Sequence, residues 1–350
     1  MLGCLSNLKI DNTKMKDFSD YSLLLHNTFA LDAKCRRFLE YESVEELQSL
    51  LPLLAKKTYL HIGAGSNLLF TKDYEGVVLH SAIKGKEVVV NDGEYVTLRV
   101  GAGECWDDFV GWCVDNGYFG VENLSYIPGE VGASAVQNIG AYGVEVERVI
   151  AAVEALEVRT GKKRIFSHDE CQYAYRDSIF KGQLKGQYII TYVHFKLSLT
   201  FSPNLSYGAL RHILESQNQV SLSAKMLRDQ IIAIRKDKLP EVEEMGSAGS
   251  FFMNPVVSMD VFHRIEADYP QVPHYPIAED RVKLSAGWMI EQCSWKGRSL
   301  GNAGVYAKSA LVLVNLGGAK GEEIVALAEK IRTDVRLKFG VEIYPEVNII

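Results

Sequence analysis

The sequence has no C-x-x-C pair, and its six cysteines (Cys4, Cys35, Cys105, Cys113, Cys171, Cys293) are scattered through 350 residues without a disulfide-like cadence. A reducing compartment fits that usage, so a cytoplasmic location is expected. No run of about 18 apolar residues is present to span a bilayer, and Met1 to Lys16 contains no apolar stretch of signal-peptide length. A soluble, unprocessed chain is expected. The formal net charge of −6 and the pI near 5.8 supply no general positive field, which argues against nucleic acid or an anionic membrane as partner. An anionic small ligand must therefore be met by local cations. There is no Gly-x-Ser-x-Gly elbow, no phosphate loop ending in Gly-Lys-Ser/Thr and no His-Glu-x-x-His. The eight histidines have no metal spacing, so no metal site is expected. No internal repeat or low-complexity segment is visible, and without a long coiled coil or apolar stripe a monomer is expected.

What is present is an ordinary globular composition, 47% hydrophobic and 23% charged, with length for two domains. Ser43-Val44-Glu45-Glu46 has the form of a capping box, opening a helix that should end near Pro52. Thr58 to Ile62 reads as a strand stopping at Gly63. Asn91-Asp92-Gly93 marks a hairpin between Glu87–Val90 and Tyr95–Val100, and a second is expected around Thr160-Gly161. Cys105 to Asn116 reads as a helix stopped by Gly117, and Tyr188 to Leu199 as a long strand. After residue 200 the texture changes to helices at Ser223–Lys236, Ser258–Ala267, Ser285–Cys293 and Glu322–Lys338, with strands at Leu311–Leu316 and Val341–Val347. The main boundary is placed there, giving units 1–200 and 201–350, with a subdivision of the first near residue 80.

Two glycine-rich segments stand in the first unit. Gly63-Ala64-Gly65-Ser66-Asn67-Leu68 follows a strand, where backbone N–H groups can approach a pyrophosphate while Ser66 and Asn67 add side-chain donors. It is not the Rossmann fingerprint, because Leu68 occupies the third glycine position. The second segment holds Pro128, Gly129, Gly132, Ser134, Asn138, Gly140, Ala141, Tyr142 and Gly143. So many glycines require close backbone approach, either to a dinucleotide or to the chain's own packing.

Three short motifs farther apart supply a cation, a hydroxyl and a carboxylate. Arg176 of Tyr175-Arg176-Asp177-Ser178 is either a fork for a substrate carboxylate, steadied by Asp177, or half of an ordinary ion pair. Ser250, in what reads as a Gly-rich turn, either projects into a cleft or caps the next segment. Glu346, after Pro345 at a strand end, either works or is merely exposed. Together they can hold an acidic substrate and protonate it.

The order and wording of these motifs, with His26-Asn27-Thr28-Phe29, Tyr175 to Lys181, Gly249-Ser250-Phe251-Phe252 and Pro345-Glu346-Val347, resemble the UDP-N-acetylenolpyruvoylglucosamine reductases along almost the whole chain. The resemblance implies an α+β protein: an FAD-binding domain of the vanillyl-alcohol-oxidase (PCMH) type, then a smaller α+β substrate-binding domain whose strand 341–350 returns to the active site. It implies FAD along the two glycine loops, NADPH as hydride donor, a UDP-sugar substrate, and Arg176, Ser250 and Glu346 as catalytic residues. It also implies substrate contacts from Tyr175, Lys238, Asn254 and Tyr207, the last in the Leu205-Ser206-Tyr207-Gly208 loop of the longer members. Met253 departs from relatives that carry lysine there. Two other readings stay open: a different FAD-dependent oxidoreductase of the same fold, and a non-catalytic UDP-sugar binder.

Overall fold

The computed structural model describes residues 15–205, 222–241 and 244–350. The first sheet runs in the order Lys16–Ser22, Lys34–Tyr41, Tyr74–Ser81, Tyr59–Ile62, with its first pairing antiparallel and the other two parallel. The helix Val44–Leu54 packs on it through Leu47, Leu50, Leu51 and Leu54. The Ser43 hydroxyl caps this helix by accepting from the Glu46 N–H, but the Glu46 carboxylate accepts from Glu42 rather than closing the box on Ser43.

The second sheet is antiparallel throughout, in the order Lys163–Ser167, Ile150–Glu157, Tyr188–Ser198, Tyr95–Gly101, Lys86–Asn91. Val96, Leu98 and Val100 alternate onto one face, as a period of two requires. They share a core with Trp106 and Phe109 of the helix Trp106–Asp115, and the Phe109 and Phe195 rings lie 4.9 Å apart.

A third sheet, Gly246–Ser250, Val312–Asn315, Ala303–Val305, Ser299–Leu300, is covered by the helix Gly321–Phe339. Ile324, Leu327, Ile331, Val335 and Phe339 recur at helical spacing and are buried in the core that holds Phe251 and Phe252. Burial of each such side chain stabilises by about 1.5–3 kcal/mol.

Two of the crossings that join the halves of the chain position the site. The first is His26-Asn27-Thr28-Phe29. Thr28 N–H donates to Gly65 O, Ser247 N–H donates to Thr28 O, and the Asn315 amide donates to Phe29 O. Gly65 is obligatory here: it has φ +70°, and a Cβ would lie 1.8 Å from His26 O. The second crossing is the C-terminus, where the expected strand Val341–Val347 is not formed. The segment makes one bridge, Pro345 to Phe252, and then pairs in parallel through Asn348–Ile349 with Leu68–Leu69. Its backbone donates to Phe251 O from Glu346 and to Asn67 O from Asn348, so two partners from opposite halves share it and no continuous ladder develops.

Candidate active site

Arg176 sits in a tight turn closed by reciprocal hydrogen bonds between Ala174 and Asp177, at φ +57°. Glycine is the usual occupant of that third turn position. A side chain held there stores backbone strain of about 1–2 kcal/mol, of the kind concentrated at functional sites. The surroundings fix the turn: Lys181 Nζ donates to Arg176 O and the Ser178 hydroxyl to Val136 O.

From this turn Arg176 Nε donates to Glu346 Oε1 at 2.8 Å, Nη2 to Gly140 O at 2.8 Å and Nη1 to Asn138 O at 3.5 Å. The expected steadying by Asp177 does not occur. Its carboxylate accepts from the Ser178 N–H one residue on, and the partner is Glu346, 170 residues away. A guanidinium has five N–H donors, so Arg176 keeps donors for a ligand. Glycine at 140 leaves room for the guanidinium: a Cβ would sit 2.8 Å from Arg176 Nη1 and 3.0 Å from Val144 O, and Arg176 would have to give way.

Ser250 lies in a strand rather than a turn. Between the pairs Ser247–Val314 and Ser250–Val312 the ladder has one extra residue, with Gly249 at φ +66°. Such a bulge re-aims the side chain that follows it. Ser250 is exposed, and its hydroxyl has no hydrogen-bond partner and makes no cap among the described residues. One residue on, Phe251 O accepts from the Glu346 N–H. The Ser250 backbone is thus one residue from the contact that holds Glu346, and the Glu346 carboxylate in turn holds Arg176, although the three are far apart in sequence.

Tyr175 is half-buried, and burial pushes its phenol above the ordinary range. The Asn254 side chain accepts from the Ala286 N–H. Lys238 is exposed at the end of the helix Ala224–Lys238, and among the described residues neither a hydrogen bond nor an ion pair joins it to Arg176 or Glu346. Tyr207 lies outside the described residues. Two cations at the site were not singled out in the sequence: Lys181, and Lys283 with its Nζ 4.4 Å from the Tyr175 ring centroid.

The glycine segments meet each other. The Ser66 hydroxyl donates to Pro128 O and the Asn67 amide to Glu346 O, so both expected side-chain donors serve the chain itself. Ser134 Oγ donates to Val131 O, and the Asn138 amide to Glu145 and Ala174 O. Tyr142 and Gly143, at φ +48° and +80°, turn a two-residue hairpin joining Gly140–Ala141 to Val144–Glu145. What remains for a ligand is backbone. The N–H groups of Gly63 to Asn67 have no acceptor among the described residues, and beside them Thr28 Oγ1 is buried without a partner. A run of free N–H groups with an orphaned hydroxyl is a donor set that fits a dinucleotide pyrophosphate.

Residues 240–350 match the model of the UDP-N-acetylenolpyruvoylglucosamine reductase C-terminal domain, and residues 36–166 match an FAD binding domain. UDP-N-acetylenolpyruvoylglucosamine reductase of Bacteroides fragilis is 55% identical over 331 residues, which is 94% of this chain and 99% of that one. The chain belongs to the UDP-N-acetylenolpyruvoylglucosamine reductase family. The reductase of Porphyromonas gingivalis is 46% identical over 333 residues, covering 95% of this chain and 98% of that one. The crystal structure of the Thermus caldophilus reductase, 21% identical, superposes with a TM-score of 0.66 over 96% of this chain and 98% of that chain, a likeness of fold.

A half-buried polar cluster lies beside the glycine loops. His80 bridges Glu40 and Glu130 at 2.8 Å each, and Lys16 also pairs with Glu40. Burial opposes the His80 charge, but the hydrogen bonds to Glu130 and Glu40 prevail and hold it up at about 9. Burial pushes His26 down to about 4 and His61 to about 3, with the charge on His80 acting in the same direction. A raised histidine stabilises fully below its unfolded value near 6.5, and this stabilisation is lost as pH climbs through about 9. The two depressed histidines act oppositely, losing stabilisation as pH falls from about 6.5 toward 4 and 3. The cluster's contribution therefore peaks near pH 6.5. In urea titrations across pH, His80→Gln removes the loss on the alkaline side; an unchanged alkaline limb would show that His80 is not the group responsible.

Proposed function

We propose that this chain reduces the enolpyruvyl ether of UDP-N-acetylglucosamine to the lactyl ether, forming UDP-N-acetylmuramate for peptidoglycan precursor synthesis. It is an FAD-dependent oxidoreductase with NADPH as the hydride source and a UDP-sugar as its partner. The observation that carries the reading is the Arg176–Glu346 pair, closed against the bulged strand that presents Ser250.

The chemistry that the bound flavin supplies is hydride, taken from NADPH. Gly63 to Asn67 would hold its pyrophosphate through backbone N–H groups, with the Pro128-to-Gly143 segment on the other side. The rest falls to this chain's own side chains. As the alkene's π bond breaks, negative charge passes to the substrate carboxylate as an enolate, and the free N–H donors of Arg176 stabilise it. Glu346, by holding Nε, fixes the guanidinium plane that meets the substrate. Ser250 gives its proton to the carbon beside the carboxylate, forming the second new C–H bond, and regains a proton from solvent. Tyr175, Asn254, Lys238 and Tyr207 serve substrate binding in this reading. Residues 1–200, divided near 80, act as the cofactor unit and 201–350 as the substrate unit.

We further take the enzyme to be a cytoplasmic monomer. Substrate and reductant are both charged nucleotides, which do not cross a bilayer unaided, and the five described cysteines are free thiols. Among the described residues no helix is long and apolar enough to span a membrane. Incubation with the enolpyruvyl substrate and NADPH should give a product heavier by two hydrogens, with one NADPH consumed per product. NADPH consumption without that product would overturn the assignment.

A further inference from the structure

Lys283 is a cation in an unusual place. It lies in the strand Arg281–Leu284, whose neighbours in register are Val256 and Tyr275. The strand is tied to the Phe252-to-Asn254 corner, because Leu284 N–H donates to Pro255 O and Ala286 N–H to the Asn254 side chain. From there the Lys283 ammonium reaches across to the Tyr175 ring, 4.4 Å from its centroid, with the Tyr275 ring centroid at 6.0 Å. The Arg176 guanidinium carbon is 5.2 Å from the same Tyr175 centroid. One phenol thus has a cation from each half of the chain against it.

Lys283 differs from the other site cations in its bonding. Arg176 is paired with Glu346, and Lys181 donates to Arg176 O. Lys283 has neither a hydrogen bond nor an ion pair among the described residues, and its ammonium lies against two aromatic rings. Burial lowers its ammonium from the ordinary lysine range; Glu145 draws it back only in part, and Arg176 adds repulsion. A half-buried cation beside a second cation is unfavourable unless an anion arrives. A lysine whose only task was to cover apolar surface would carry its head into water.

We propose that Lys283 is a substrate-binding residue whose ammonium, laid over Tyr175 beside Arg176, takes a negatively charged oxygen of the UDP-sugar. The inference rests on the function proposed above. Two sources of that oxygen share the chemistry, the enolpyruvyl carboxylate and the diphosphate. The Tyr175 ring acts as the rest for the ammonium, holding it by a cation–π contact in the absence of ligand.

The test uses the FAD-loaded enzyme and its Lys283→Met variant, with Lys283→Arg as the charge-conserving control. Calorimetry gives Kd for the enolpyruvyl substrate and for UDP-N-acetylglucosamine, which has the diphosphate but no carboxylate. Lys283→Met should bind the enolpyruvyl substrate about 10- to 100-fold more weakly, the equivalent of one charge-assisted hydrogen bond, and Lys283→Arg should recover most of that loss. A loss confined to the enolpyruvyl ligand identifies the carboxylate, and one shared by both ligands identifies the diphosphate. If Lys283→Met melts at a lower temperature yet binds both ligands like the wild type, Lys283 is structural and the proposal is overturned. Should the methionine variant lose its flavin, Lys283→Gln takes its place in the same measurements. A wild-type enzyme that binds neither ligand would instead overturn the function on which the proposal rests.

Discussion

Ser250→Ala should lower turnover by about 10²–10⁴-fold, the usual contribution of a positioned general acid, while NADPH continues to reduce the flavin at the wild-type rate. The split follows from the position of the hydroxyl. Ser250 is exposed, unbonded among the described residues, and set one residue from the Glu346 backbone contact by a bulge built on Gly249. A serine that capped a segment or tied two strands would have its hydroxyl in a bond, and its loss would reduce stability in place of chemistry. The alanine variant should therefore melt within a degree or two of the wild type, since surface substitutions usually change stability by less than about 0.5 kcal/mol. Rapid-mixing experiments that follow each half-reaction separately make the comparison. Equal slowing of flavin reduction and substrate reduction would remove Ser250 as the proton donor.

Arg176→Met should be the most damaging single change, because it affects both the reaction and the fold. Loss of a preorganised donor aimed at developing charge lowers kcat by about 10²–10³-fold. The substitution also leaves Glu346 without its partner, in a place where each side chain of the pair is only about 15% exposed. Breaking such a pair from one side leaves an uncompensated charge, and an unsatisfied buried group costs about 1–3 kcal/mol. The double variant Arg176→Met/Glu346→Gln separates the two effects. It should recover stability, because no unpaired charge remains, and recover no turnover. Arg176→Lys should retain only part of the activity, since an ammonium has no planar fork to meet Glu346, Gly140 O and a substrate carboxylate together. A lysine variant with wild-type kcat and KM would mean that only the charge at this position matters.

Much of the architecture was readable from residue pattern alone. The hairpin at Asn91-Asp92-Gly93, the helix ending before Gly117 and the apolar stripe of Gly321–Phe339 are local signals, and the structure has each within a residue or two. The change of texture near residue 200 lies between the second sheet, which ends at Ser198, and the third, which starts at Gly246. Arg176, Ser250 and Glu346 were also visible, but none outweighed its ordinary explanation by spacing alone. What links Arg176 to Glu346 is a contact spanning 170 residues, and Ser250 is tied in only through its neighbour Phe251, whose carbonyl accepts from the Glu346 N–H.

The parts that could not be read are those decided by long-range contact. Asp177 is adjacent to Arg176 in sequence, yet it bonds its own neighbour while Glu346 takes the guanidinium. Pro345-Glu346-Val347 has the composition of a strand, but its backbone is divided between Phe251 and the first glycine loop. Gly65 and Gly140 suggest a ligand cradle, yet Gly65 is required by its own chain against His26, and Gly140 makes room for the Arg176 guanidinium. The free donors of the loop lie in its backbone, where residue type gives no indication. Lys283 alternates between Val282 and Leu284 like any strand residue, and its lack of a partner becomes visible only in three dimensions.

The central claim is that one site passes two electrons from NADPH to an enolpyruvyl ether. It is tested most directly by the visible spectrum of the FAD-loaded protein under anaerobic conditions. NADPH is added first, followed by one equivalent of enolpyruvyl-UDP-N-acetylglucosamine. The account predicts that the yellow flavin bleaches and then returns in full, in proportion to the substrate added. A flavin that bleaches and stays colourless after the substrate is added would contradict it.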